Sequence, residues 1–171
     1  MASVIIVEGV DRVGKTTLVN KLHSKLSGFK VYKNKDTALM KLEDFDCTNE
    51  ADKMIKLLRM IKLLDGNVIF DRFYLTDAIY GITERGYDPN TSAKAVVAIE
   101  KALMSLFGAD NVYLVIMKSE DIIESSCQHG KDLTEYEQAF LQQAYLNLIR
   151  NVIIAEYGTI DEVVDFLCDK L

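Results

Sequence analysis

Residues 9–16 read Gly-Val-Asp-Arg-Val-Gly-Lys-Thr, which is a glycine, four residues, then Gly-Lys-Thr. No other stretch of the chain restricts its architecture as much. Glycines at these positions let the backbone take positive φ and bring N–H groups close to an anion. Ala2–Val7, just before, is apolar at nearly every position and reads as a central strand covered on both faces. Lys15–Ser27, just after, reads as a helix with Leu18, Leu22 and Leu26 on one stripe and Gly28 as its stop. A strand that turns through such a loop into a helix aims the helix's partly positive N-terminus at the loop. Lys15 then reaches the β- and γ-phosphates of a triphosphate, and the Thr16 hydroxyl can hold magnesium. Gly9, Asp11, Arg12, Val13, Gly14, Lys15, Thr16 and Thr17 make up the candidate nucleotide-binding loop.

The rest of the chain alternates short β-branched runs with longer helical patterns, the sign of an α/β domain with a largely parallel sheet. Phe29–Tyr32 reads as the second strand and 33–48 as a loop region. Asn49 caps a helix with Met54, Leu57, Leu58 and Ile61 inward, closed by Gly66. Val68–Phe70 is the third strand, and a helix covers Thr76–Glu84. Asp88-Pro89 places an N-cap before a first-turn proline, opening a helix to Phe107. Val112–Met117 is the fourth strand. The polar stretch 119–133 reads as a short helix and mobile loop. Thr134 and Glu137 form a capping box for a helix with Phe140, Leu141, Ala144 and Leu148 inward. Val152–Ile154 is a fifth strand and Ile160–Leu171 a final helix. With no repeat or linker, residues 1–171 form a single domain.

Charge and composition narrow the function. Twenty basic against 26 acidic residues give a net charge of −6, the wrong balance for neutralising many phosphates of duplex nucleic acid. A small anionic ligand held by one local pocket is compatible with it. Cys47, Cys127 and Cys168 lie far apart and His23 and His129 are isolated, so neither a zinc site nor a disulfide framework is supported. The apolar run Val4–Val7 lacks a basic lead and is far too short for a signal core or membrane span. A cytoplasmic location is expected.

A second constellation is Val68-Ile69-Phe70-Asp71, an apolar strand ending in a carboxylate beside Arg72. Beside a phosphate loop, such an Asp stands next to the magnesium and its waters, and the planar guanidinium suits a second phosphate. At the carboxyl ends of parallel strands, these groups gather in one crevice. Glu8-Gly9-Val10-Asp11-Arg12-Val13-Gly14-Lys15-Thr16-Thr17 closely resembles the loop of thymidylate kinases. Asp71-Arg72-Phe73 with Tyr80 resembles that family's Asp-Arg-aromatic motif and downstream aromatic, and Tyr136-Glu137 with Phe140 resembles its segment after the lid.

The resemblance implies the three-layer fold of P-loop kinases, a central five-stranded parallel sheet with helices on both faces, and a lid at about 119–133. It implies an ATP-dependent deoxynucleoside monophosphate kinase using Mg2+, with ATP and dTMP giving ADP and dTDP. Lys15 and the loop amides bind ATP phosphates with Thr16 and Asp71 at the metal. Asp11 holds the acceptor's sugar hydroxyl, Arg12 clamps the transferring phosphoryl, and Arg72 holds the acceptor's own phosphate. Arg12, Lys15 and Arg72 are thus the catalytic candidates, while Phe73, Tyr80 and Tyr136 lie near the nucleoside. A homodimer is likewise implied, though no residue pattern here displays one. Residues 119–133 contain no arginine, which independently assigns transition-state charge to Arg12. The chain departs from the family after the second strand, where Tyr32-Lys33-Asn34-Lys35 replaces a proline- and arginine-containing stretch; Lys35 is the candidate substitute at the acceptor phosphate. The helix over 50–65 has Arg59 as its one arginine and no Phe…Arg pair, so the acceptor's base is not carried over.

Two other readings stay open. A deoxynucleoside kinase, or a kinase of a hydroxyl on a modified nucleotide, would use Glu8 or Asp71 as a base. A nucleotide switch without an acceptor is the other, although Asn34-Lys35-Asp36 has neither the place nor the spacing of a guanine-reading box.

Overall fold

The computed structural model describes residues 2–33, 50–83, 86–118 and 148–171. The expected lid at 119–133, the capping box at Thr134 and Glu137, Lys35 and Tyr136 lie outside them. In chain order the elements are β1 (Val4–Gly9), α1 (Lys15–Lys25), β2 (Phe29–Lys33), α2 (Glu50–Leu63) and β3 (Asn67–Asp71). There follow α3 (Tyr74–Thr83), α4 (Pro89–Phe107), a 3-10 turn (Ala109–Asn111), β4 (Val112–Met117), β5 (Asn151–Ala155), a second 3-10 turn (Tyr157–Thr159) and α5 (Ile160–Lys170).

The five strands form one parallel sheet in the order β2-β3-β1-β4-β5. Strand side chains alternate faces, and this divides the core in two. Val4, Ile6, Val68, Phe70, Leu114 and Ile116 face α2, α3 and α4, meeting Leu58, Ile79 and Leu103. Ile5, Val7, Ile69 and Val115 face α1 and α5, meeting Leu18, Leu22, Val164 and Leu167. β1 lies between β3 and β4 and is buried at all six positions. A strand covered on both faces reads as an unbroken apolar run for that reason. The three-layer α/β arrangement is the one expected.

Local differences have local causes. The left-handed residue ending α2 is Asp65, not Gly66: the N–H of Asp65 donates to Lys62 and that of Gly66 to Ile61, a Schellman closure with a tolerated Asp at its αL position. Leu148, expected inward on a helix, is 41% exposed and precedes β5. Its backbone N–H donates to the fully buried Glu100, which also accepts from the Tyr74 hydroxyl at 2.8 Å. Helix α4 starts as expected, with the Asp88 carboxylate accepting from the Thr91 N–H at 2.9 Å and Pro89 in the first turn. Among the described residues no helix is long and apolar enough to cross a membrane.

Candidate active site

At the carboxyl end of β1 the chain passes Met117 of β4 so closely that a Cβ on Gly9 would stand 2.4 Å from the Met117 carbonyl oxygen. Only glycine fits there. Arg12 takes φ 65° and Gly14 φ 94°, and α1 begins at Lys15 with no side-chain cap and no acidic residue in its first turn. The helix therefore presents its first N–H groups to the loop rather than to its own side chains. The stem of Lys15 is buried, and its ammonium donates to the Val10 carbonyl inside the loop. Val13 is buried in the core beneath the loop, leaving its backbone for ligand contact.

β3 brings the second set of groups. The parallel register pairs Val7 with Asp71, and the Arg72 N–H donates to the Val7 carbonyl at 2.9 Å. The chain then turns through Arg72 at φ 65°, a left-handed conformation that costs an L-residue about 1–2 kcal/mol. The Arg72 guanidinium forms an ion pair with Asp11, and the two side chains are 20% and 23% exposed. Two sequence candidates from separate elements thus meet on the floor of one cleft.

That cleft has a volume of about 700 Å³. Its walls include Asp11, Arg12, Gly14, Lys15, Thr16, Thr17, Asp71, Arg72 and Tyr80, which the sequence singled out. Among the described residues, Lys33, Thr76, Asp77 and Tyr157 also line the cleft. Lys33 ends β2 opposite Asp71 in register, so the crevice rule for parallel sheets contained this signal. Thr76, Asp77 and Tyr80 share one side of α3, at the i, i+1 and i+4 positions. Tyr157 is 66% exposed, in the turn after β5, and a Cβ on Gly14 would meet its ring at 2.6 Å. Nothing in the local sequence around Tyr157 reveals that approach.

Phe73 is the correction. Its ring is 4% exposed, stacks on Phe70 with centroids 4.2 Å apart, and meets Tyr74 edge-on. The left-handed turn at Arg72 sends the next side chain into the core, so Phe73 supports the site from beneath and does not line it.

Glu8 also leaves the list of candidate bases. It is fully buried; one carboxylate oxygen accepts from the Phe73 and Leu75 N–H groups at 2.9 and 3.2 Å, and the other from the Thr76 hydroxyl. Burial raises its pKa above the ordinary 4.5, opposed by those hydrogen bonds and by the Arg72 charge. A carboxyl group raised on folding binds its proton more tightly in the folded state. Its contribution to stability is complete below pH 4.5 and is lost as pH rises through the folded-state value. Denaturant titrations from acid to neutral pH are expected to show this decline in the natural protein relative to Glu8→Gln. A constant difference between the two would contradict the assignment.

Thr16 and Asp71 put a hydroxyl and a carboxylate in one cleft, an all-oxygen set that fits magnesium, which keeps several waters and shares phosphate oxygens. Among the described residues no group of three or more His, Cys, Asp or Glu side chains is placed to hold a metal on its own.

No protein-family model and no curated protein matches the sequence. Solved structures do match its shape. A thymidylate kinase from Candida albicans superimposes with TM-score 0.55 at 22% identity, covering 98% of this chain and 90% of that one. The NadR protein, solved in complex with NAD and AMP-PNP, gives 0.56 at 14%, covering 99% of this chain and 49% of that one. Polyphosphate kinase 2 from Arthrobacter aurescens TC1 gives 0.56 at 15%, covering 98% of this chain and 66% of that one. The chain thus spans most of the first, about half of the second and just under two thirds of the third. The fold is that of P-loop kinases.

Proposed function

We propose that this chain transfers the terminal phosphoryl group of ATP to a deoxynucleoside monophosphate, in the manner of thymidylate kinases: ATP and dTMP give ADP and dTDP. One observation carries the reading. A single cleft holds the phosphate-loop Lys15 together with Arg12, Lys33 and Arg72, cations delivered by the loop, β2 and the end of β3. Bringing two phosphate anions into line demands such a set. One triphosphate is served by the loop and Lys15, and the remaining cations suit a second anionic group.

The acceptor's phosphate supplies the nucleophile. Phosphate monoesters have a second pKa of about 6, so the attacking oxygen is largely ionised at neutral pH and needs no general base. Lys15 exchanges the Val10 carbonyl for phosphate oxygens, and the amides of the loop and first turn of α1 bind the rest. Arg72, which forms an ion pair with Asp11, receives the acceptor's phosphate, and Asp11 its sugar hydroxyl. Tyr80 and Asp77 line the wall where the nucleoside lies. Arg12 offsets charge on the transferring group. Thr16 and Asp71 would hold magnesium, which would neutralise charge on the phosphate oxygens. Catalysis then rests on positioning and electrostatic stabilisation. A cytoplasmic location and a homodimer complete the proposal.

A hydroxyl acceptor is the second reading, and Asp71 favours it by lining the cleft. Glu8 offers it nothing, being enclosed by its donors. The test is a screen of nucleoside monophosphates and free nucleosides with ATP and magnesium. Turnover of dTMP or another deoxynucleoside monophosphate, with thymidine inert, is the expected result. Turnover of thymidine alone would replace the reading by a hydroxyl kinase, and ADP with only free phosphate by a nucleotide switch.

A further inference from the structure

We infer that Glu8 is a positioning residue for the acceptor half of the site, acting through the backbone that carries Arg72. The inference rests on the proposed function for its kinetic consequences only. By strand alternation Glu8 shares a face with Val4 and Ile6, so a carboxylate stands where the core asks for an apolar side chain. Such a substitution costs stability unless the group is fully hydrogen-bonded. Here its oxygens collect the N–H groups of Phe73 and Leu75 and the hydroxyl of Thr76.

These donors lie immediately after Arg72. That residue holds a left-handed φ without being glycine, a state that persists only where neighbours over-determine it. The clamp is two-sided. The Arg72 N–H bonds to Val7 on one side, and the Phe73 N–H bonds to Glu8 on the other. Val7 and Glu8 are the two consecutive residues of β1 immediately before the phosphate loop. The same carboxylate binds the first turn of α3, whose Thr76, Asp77 and Tyr80 line the cleft. Glu8 thereby fixes the acceptor wall relative to the loop without touching either ligand.

Glu8→Gln retains an oxygen for the two N–H groups and offers an amide N–H to the Thr76 hydroxyl; Glu8→Ala offers neither. In Glu8→Ala the acceptor KM is expected to rise by about tenfold or more while the ATP KM changes by less than about threefold, and Glu8→Gln to restore the acceptor KM. Independently of turnover, hydrogen exchange should show protection of the Phe73 and Leu75 amides lost in Glu8→Ala and kept in Glu8→Gln. The NMR signal of the Arg72 guanidinium paired with Asp11 should follow the same pattern. Should Glu8→Ala fail to fold, Thr76→Val removes one donor and is expected to shift the Arg72 signal with Glu8 in place. Equal changes in both KM values, or an Arg72 signal untouched in these variants, would overturn the inference. A natural protein that turns over no monophosphate, with the exchange and Arg72 patterns intact, would remove the proposed function and leave the positioning role standing.

Discussion

Lys15→Ala is expected to lower phosphoryl transfer by at least about 10³-fold, equivalent to about 4 kcal/mol of transition-state stabilisation. The lysine is the loop's own cation, and its ammonium donates to the Val10 carbonyl in the cleft. Folding is expected to survive. Lys15 is the first residue of α1, alanine is the best helix former, and the carbonyl left behind faces a cleft large enough for water. The melting temperature is expected to move by no more than about 2–4 °C, which corresponds to about 1 kcal/mol at this size. Turnover of the natural acceptor at the natural rate by a folded Lys15→Ala variant would remove the phosphate-loop role.

The architecture and half of the site were legible because their signals are local. Glycines at positions 9 and 14, an unbroken apolar strand before them and a 3.6-residue stripe after them sit within one stretch of chain. What escaped was set by contacts distant in sequence. Phe73 follows an Asp-Arg pair and so reads as a nucleoside neighbour. Its direction is decided by the φ of Arg72, which in turn depends on Val7 and Glu8 more than sixty residues earlier. Glu8, read from the sequence as a candidate base, is buried instead, where its donors sit on another stretch of chain, past the end of β3. Lys33 and Tyr157 reach the cleft because parallel pairing brings the carboxyl ends of β2 and β5 to the same end of the sheet as the loop. Lys35, the candidate substitute for the missing arginine, lies outside the described residues, while register puts Lys33 opposite Asp71.

Arg12→Gly separates chemistry from folding most sharply. The guanidinium sits on an exposed loop position that lines the cleft, and 119–133 provides no arginine to take its place. By analogy with other arginine fingers, kcat is expected to fall by about 10³–10⁵-fold. The dissociation constant for ATP, measured by calorimetry, is expected to change by less than about tenfold, since Lys15 and the loop amides remain. Stability moves the other way or not at all. Glycine relieves the left-handed strain at φ 65°, worth about 1–2 kcal/mol, and returns about 0.5–1 kcal/mol as extra freedom of the unfolded chain. A folding free energy within about 1 kcal/mol of the natural value is therefore expected, with a lower kcat. If kcat and ATP affinity fell by the same factor, Arg12 would be a ground-state phosphate ligand, and the transition-state charge would have to be assigned to Arg72 or Lys33.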